Sequence, residues 1–364
     1  MYISRLELCN LRSIRTLSIL PSRSLNIVLG CNGSGKTSLL EGIYLLGRGR
    51  SFRTRHIGEA VCWGRERLAA FAETVTDVGA RLTLGVERGG GVNRSRVAGE
   101  EVHAASRLAA ALPLLLISPE SQRLVVEAAR YRRQLMDWTL FHVEHRYADA
   151  QQRYQRALRQ RNAALQRGEG MDTLAAWQHE LGEVGEQLHA YRRDYLALLL
   201  PLVGDTMAEL GSPIVSFDYR PGWDTSCPLR EVLAAVLPHD MLRGYTTVGP
   251  HRADLRLTYH GSVAQRVLSG GEMKRLVAAV LLAQVRCVSH YAGVVPVVLV
   301  DDLGAELDET GRRCFLRTLQ DTGSQVFVTA LSTAVLDLAK WPERSVFHVE
   351  QGTVKTGKIG ISTV

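Results

Sequence analysis

Gly30-Cys-Asn-Gly-Ser-Gly-Lys-Thr37 fills every fixed position of the pattern G-x-x-x-x-G-K-[S/T], and few eight-residue strings restrict a fold so tightly. The pattern has meaning only between a buried strand and a helix. Leu25-Asn-Ile-Val-Leu29 reads as the strand, and Thr37 to Leu46 as the helix. Backbone N–H groups of such a loop converge on a phosphate, and side chains would block the approach. Gly30, Gly33 and Gly35 permit the backbone angles and the closeness. The positive end of the helix adds to the attraction. Lys36 places a point charge on the outer phosphates, and the Thr37 hydroxyl suits Mg²⁺. With Asn32, Ser34 and Ser38 these residues form the expected site for ATP and Mg²⁺. An ordinary glycine-rich turn with one exposed lysine is the alternative.

A second part lies far downstream. Val297-Val-Leu-Val-Asp301-Asp302 reads as an apolar strand that delivers two carboxylates. Asp301 suits the metal, and Asp302 suits the attacking water, as general base or orienting group. Lys36 and Asp302 are therefore the expected catalytic pair, with Thr37 and Asp301 at the metal.

Between these parts stands Leu268-Ser-Gly-Gly-Glu272, opening a long helix. Ser269 is a good N-cap, and Gly270 and Gly271 expose N–H groups at the helix start. One nucleotide cannot easily use two helix-start anion sites of a single compact domain. A head-to-tail homodimer solves the problem: Ser269, Gly270, Gly271 and Glu272 of one copy close over the γ-phosphate held by Lys36 of the other. In this order the motifs are those of the ABC ATPase superfamily, and Ala305-Glu-Leu-Asp308 resembles its dimer-contact loop.

Two branches of that superfamily remain, transporter motors and the DNA-repair and chromosome-organising proteins. The 233 residues from Lys36 to Ser269 exceed what transporter motors use. Most of the added length is basic and helical. The chain has 364 residues and a formal charge of +7. Residues 121–167 alone hold ten arginines against four acids, nearly the whole surplus. A basic excess favours polyanionic partners. Arg132, Arg133, Arg153, Arg156 and Arg159 are nominated for DNA, with Arg50, Arg53 and Arg55 as a second patch. For any single one, a solvated helix face is the plainer reading.

Leu174, Trp177, Leu181, Val184, Leu188, Tyr191, Tyr195 and Leu198 form a heptad seam. Leu140, Tyr147, Tyr154, Leu158 and Leu165 form a facing stripe, with Arg167-Gly-Glu-Gly170 as the tip of a hairpin. Two helices, each roughly 35–40 Å long, are expected. They read either as an arm projecting from a compact head or as a subdomain packed onto it. The fold class is thus α/β: a P-loop ATPase head with a mixed sheet, plus an α-helical arm or lid. Residues 1–120 and 206–364 are expected to build the head, and 121–205 the arm. Six scattered cysteines form no C-x-x-C pair, so no zinc site or disulfide is expected. No signal peptide or membrane span is legible, and a cytoplasmic, nucleoid-associated protein without a membrane partner is expected.

Over nearly its whole length the sequence resembles the RecF family. The pieces that carry the resemblance are Leu8-Cys-Asn-Leu-Arg-Ser13, the phosphate loop, Gly49-Arg-Ser-Phe-Arg-Thr-Arg55, Ser118-Pro-Glu120, Tyr131-Arg-Arg133 and Arg159-Gln-Arg-Asn162. Gly249-Pro-His-Arg252, Leu268-Ser-Gly-Gly-Glu272, Asp301-Asp-Leu303 and Glu306-Leu-Asp308 complete the set. The resemblance implies an ATP-controlled dimer that binds double-stranded DNA near gaps or junctions. It also implies cooperation with RecR, alongside RecO, in loading RecA onto gapped DNA coated by single-strand-binding protein. A weak, DNA-stimulated ATPase acting as a switch goes with it. By analogy Arg12 contacts nucleotide phosphate; a surface arginine on a turn is the alternative. Some positions depart from related patterns. Glu272 stands where Gln is more usual, Asp302 where Glu is, Thr329 where many relatives keep His, and Ala253 replaces an expected acid. His251 is expected in the core or at an interface, without a catalytic role. Against the switch stands an adaptor that recruits partners with ATP as a structural ligand; for a nuclease, no added carboxylate cluster or histidine motif is found.

Overall fold

All five side chains of the strand Leu25–Leu29 are buried, which is the fate of a strand with neighbours on both edges. The computed structural model describes residues 1–303, 307–333 and 341–357. In it this strand lies inside a six-stranded sheet ordered Thr353–Gly357, Arg344–Glu350, Leu25–Leu29, Val326–Ala330, Val297–Val300 and Leu114–Ile117. The last five run parallel, and only the outer Thr353–Gly357 is antiparallel to its neighbour. Asn26, polar in this apolar strand, is buried yet satisfied. Its side-chain amide donates to the Ser22 and Val326 carbonyls, and its oxygen accepts from the Ser22 N–H.

A second, antiparallel sheet is ordered Ile14–Ile19, Tyr2–Leu11, Leu68–Val75, Arg81–Gly89, Val92–Val97 and Glu100–Glu101. Its strands alternate buried and exposed positions, as a sheet covered on one face must. Ile3, Leu6, Leu8 and Leu84 from that face share one core with Leu39, Leu40 and Ile43 of the helix Lys36–Arg48. The expected strand–loop–helix is present.

The chain divides into two compact units: residues 1–121, 209–211 and 278–364, and residues 122–208 with 212–277. The second boundary differs from the expected one. Residues 212–277, including Ser269 to Glu272, group with the helices rather than with the two sheets.

Inside the second unit the expected hairpin turns at Gly168, which caps the helix Tyr147–Arg167 with a left-handed φ of 66°. The partner helix runs Met171–Glu209. The two helices are unequal, about 32 Å and about 58 Å at 1.5 Å per residue. The upstream stripe is broken at Glu144, where the separate helix Ala129–Val143 ends. Pro201 lies within the long helix instead of ending it. Nor do the two helices form a free-standing pair. An added Cβ at Gly182 would lie 2.8 Å from the side chain of Arg230, and one at Gly185 would overlap Leu229, so the helix Leu229–Ala235 presses on the long helix beside the seam. The three-stranded sheet Ser216–Arg220, Asp254–Tyr259 and Ser262–Val263 belongs to the same unit. Among the described residues no helix is long and apolar enough to cross a membrane.

Candidate nucleotide-binding site

Parallel strands end on a common edge, and in such sheets that edge is where ligands sit. Here it gathers the loop after Leu29, the residues after Val300, and Thr329, whose strand is hydrogen-bonded to both neighbours. The loop is built as its glycines demand. Gly35 caps the helix Lys36–Arg48 at φ 115°, a left-handed angle, and an added Cβ would lie 2.9 Å from the Ser13 hydroxyl. At Gly30 a Cβ would collide with the Val349 carbonyl oxygen and the Ser34 hydroxyl. Ser34 Oγ is buried and has no hydrogen-bond partner among the described residues, while Asn32 and Gly33 are exposed and Ser38 is buried. Lys36 Nζ donates to the carbonyls of Gly30 and Cys31, at 2.6 and 3.0 Å. Beside the loop, a groove of about 780 Å³ extends toward His348, Gln351 and Lys355.

Thr37 and Asp301 meet: the hydroxyl donates to Asp301 Oδ1 at 3.0 Å. Thr329 Oγ1 donates to the same oxygen at 2.8 Å and accepts from the Asp302 N–H at 2.7 Å. Burial raises the Asp301 carboxyl above the ordinary aspartate range; the Thr329 and Thr37 hydroxyls act against this, and the Asp302 charge adds to it. A buried carboxylate held beside a hydroxyl fits a hard divalent cation, which would relieve the desolvation. Asp302 is exposed, with a left-handed φ of 56°. The two aspartates thus differ: Asp301 is enclosed and accepts from two hydroxyls, and Asp302 is open to solvent. Thr329 ties their backbone and side chain together, a task the sequence did not disclose.

Ser269 and Glu272 cap the helix Gly270–Ala292 reciprocally. The Ser269 N–H and hydroxyl donate to Glu272 Oε2 at 2.8 and 2.7 Å, and the Glu272 N–H donates back to Ser269 Oγ at 3.4 Å. Those bonds hold the Glu272 carboxyl below the usual glutamate range. Ser269, Gly270 and Gly271 are exposed, and a Cβ on either glycine would meet nothing within 4 Å. Ala305 and Glu306 of the dimer-contact string lie outside the described residues; Asp308 caps the helix Glu309–Gln320 through the Gly311 N–H.

The nominated arginines fall into two groups. Arg12 grips the fully buried Glu41 with two bonds, at 3.0 and 2.9 Å, and Arg53 lies 3.5 Å from the same carboxylate. Arg132 pairs with both oxygens of Asp254 and is nearly buried; Arg133 donates to the Ala253 carbonyl; Arg153 pairs with Glu180. Asp254 thus stands one position after the acid that had been expected at Ala253. By contrast Arg50, Arg55, Arg156 and Arg159 are exposed and form no ion pair with described residues. Glu41 was not anticipated, although its place on the apolar helix face one turn after Thr37 was a signal. His251 is half-buried: it bonds Tyr154 Oη at 2.8 Å and the Thr246 carbonyl at 3.0 Å, and the burial it has pushes its pKa down to about 4.

The sequence matches the RecF/RecN/SMC N terminal domain family over residues 2–355. The DNA replication and repair protein RecF of Stutzerimonas stutzeri (strain A1501) is 41% identical over 361 residues, covering 97% of both chains. RecF of Pseudomonas aeruginosa (strain LESB58) is 40% identical over 367 residues, covering 99% of both. Among solved structures, the ATP form of the recombination mediator protein RecF of the RecFOR pathway superposes with a TM-score of 0.87, at 23% identity and over 98% of both chains. An SMC head bound to the C-winged helix domain of ScpA superposes with a TM-score of 0.61, at 15% identity, over 100% of this chain and 98% of that one.

Proposed function

The chain belongs to the RecF family, and from that premise we propose that it is an ATP-gated DNA-binding switch whose nucleotide sites are completed by a second copy. The observation that carries the reading is the open helix tip at Ser269 to Gly271. Its capping bonds are internal, its glycines face open space, and it supplies N–H groups to an anion its own helix does not hold. In the dimer, Lys36 and the loop N–H groups bind the outer phosphates while the partner copy's tip closes over the γ-phosphate. Thr37 and Asp301 would hold Mg²⁺, which when bound neutralises the phosphate oxygens. Asp302, exposed beside them, orients the attacking water. A weak, DNA-stimulated ATPase that times release suits this arrangement.

DNA contact falls to Arg50, Arg55, Arg156 and Arg159, the nominated arginines that are exposed and form no ion pair with described residues. Contact with phosphates gives steep salt dependence and little sequence preference. A structurally similar RecF is a recombination mediator of the RecFOR pathway; as a member of the RecF family this chain would cooperate with RecR and RecO at gapped or junction DNA and help load RecA.

Sedimentation with and without ATP and a gapped duplex tests the reading. ATP is expected to double the mass, and DNA to join the dimer. Intact ATP-dependent dimerisation in Lys36→Ala would overturn it. For the arginines, the double substitution Arg156→Ala and Arg159→Ala is expected to lower the salt slope of DNA binding by about 2. An unchanged slope removes them from the interface.

A further inference from the structure

Trp63 is 98% exposed, the most of any large hydrophobic side chain described. It is not on a loose loop. It sits in the turn Cys62 to Arg65, closed by the Arg65 N–H on the Cys62 carbonyl at 3.0 Å, with Gly64 at a left-handed φ of 73°. Both ends of the approach are pinned to the first strand and the turn after it. The Cys62 N–H donates to the Asn10 carbonyl, and the Arg12 N–H to the Ala60 carbonyl, each at 2.8 Å, with a bridge between Leu11 and Val61. An indole is thereby presented to solvent on a fixed support. The connection that carries it is strongly basic: Arg50, Arg55 and Arg65 are exposed and form no ion pair with described residues, whereas Arg53 and Arg67 are paired with Glu41 and Glu87.

An exposed aromatic face on a pinned turn, in a connection that carries unpaired guanidiniums, is complementary to a flat π-system joined to phosphate. The support points the same way, because Ser13, at the end of the turn that holds residues 60–62, abuts Gly35 of the phosphate loop. We infer that Trp63 is a nucleobase-stacking residue. This rests on the nucleotide- and DNA-binding reading above and extends it by one residue and one ligand class. The base comes either from bound ATP or from an unpaired position of gapped DNA.

The test compares intrinsic fluorescence of the wild type, Trp63→Leu and Trp63→Phe, titrated separately with Mg–ATP and with oligothymidylate. The chain has five tryptophans, and subtraction of the Trp63→Leu signal isolates Trp63. Equilibrium dialysis measures binding independently. Quenching of the Trp63 component is expected with one probe, whose affinity falls about tenfold in Trp63→Leu and is largely kept in Trp63→Phe. A response to Mg–ATP alone identifies the adenine; a response to the oligonucleotide alone identifies a DNA base. If both probes bind the wild type yet neither quenches Trp63 nor weakens in Trp63→Leu, the inference is overturned and the function above stands. If neither probe binds the wild type, both fall. Trp63 is almost wholly solvent-facing, so equal melting temperatures are expected for all three proteins.

Discussion

The phosphate loop and the Ser269 helix tip are both glycine-rich helix starts, yet their glycines live in opposite surroundings. At Gly30 and Gly35 the space for a side chain is filled by Val349, Ser34 and Ser13. At Gly270 and Gly271 it is empty. The first site is enclosed by its own chain, from the loop, the Thr37–Asp301 contact and Thr329. The second offers donors and a cap but no wall. The glycines of the built site are required by their own neighbours, and those of the open tip are not required by any described neighbour.

Damage to the two regions should therefore separate binding from assembly, and this is the largest effect expected. Lys36→Ala removes the point charge from the phosphates, and ATP affinity should fall by about a hundredfold or more. Gly271→Arg should leave ATP binding by the isolated chain within about twofold, since nothing lies near it, while blocking ATP-dependent dimerisation. Equilibrium dialysis and sedimentation on the same preparations decide. Loss of both properties in both variants would erase the distinction.

Asp301 sharpens the enclosed side. Its charge is desolvated, so neutralising it should stabilise the protein without nucleotide while disabling the metal position. Asp301→Asn is expected to melt higher than wild type in the absence of Mg–ATP, to lose the rise in melting temperature that Mg–ATP gives, and to hydrolyse ATP about a hundredfold more slowly. A lower melting temperature without ligand would show that the two threonine bonds outweigh the burial of charge. Next in size is the glycine contrast itself. Gly30→Ala should cost about 1–3 kcal/mol of stability through overpacking. Gly271→Ala, in an exposed first helical turn, should be neutral or stabilising by up to about 1 kcal/mol. Chemical denaturation of both variants measures the difference.

The same contrast explains what was legible in the sequence. Local rules disclosed the loop, the strand ending in two aspartates and the capped helix, because each is a contiguous string whose residue types are fixed by backbone geometry. Long-range pairing was not disclosed. Arg12 and Arg53 were assigned to ligands, but a carboxylate on a helix about thirty residues from Arg12 claims both, and no periodicity announces that Glu41 will be buried. Arg132 was likewise claimed by Asp254, more than a hundred residues away. Arg161, a charged residue on the helix that carries Tyr154, Leu158 and Leu165, is wholly buried against Asp240 and Thr246. The strings around Asn162 and His251 carried family resemblance without a visible task; the fold brings both to Thr246, whose N–H donates to Asn162 and whose carbonyl accepts from His251. Helix lengths were misjudged for a related reason. The stripe continues in register across Glu144, and the break there depends on what packs around it.

The smallest expected effect concerns the cap that keeps the open tip in shape. Ser269 and Glu272 bond each other in both directions, so Ser269→Ala should cost about 1 kcal/mol near neutral pH. The Glu272 carboxyl is held below the ordinary value of 4.5, so its contribution is complete above that value and is lost as pH falls through the lowered one. The difference in stability between wild type and Ser269→Ala should accordingly shrink as the pH drops below about 4.5. In a Glu272→Gln background it should no longer depend on pH there, since the amide accepts from Ser269 without titrating. Denaturation curves of the four proteins across that range make the measurement. A difference that persists unchanged at low pH would mean that the serine hydroxyl caps the helix alone, and that a glutamate at this position supplies something other than the cap.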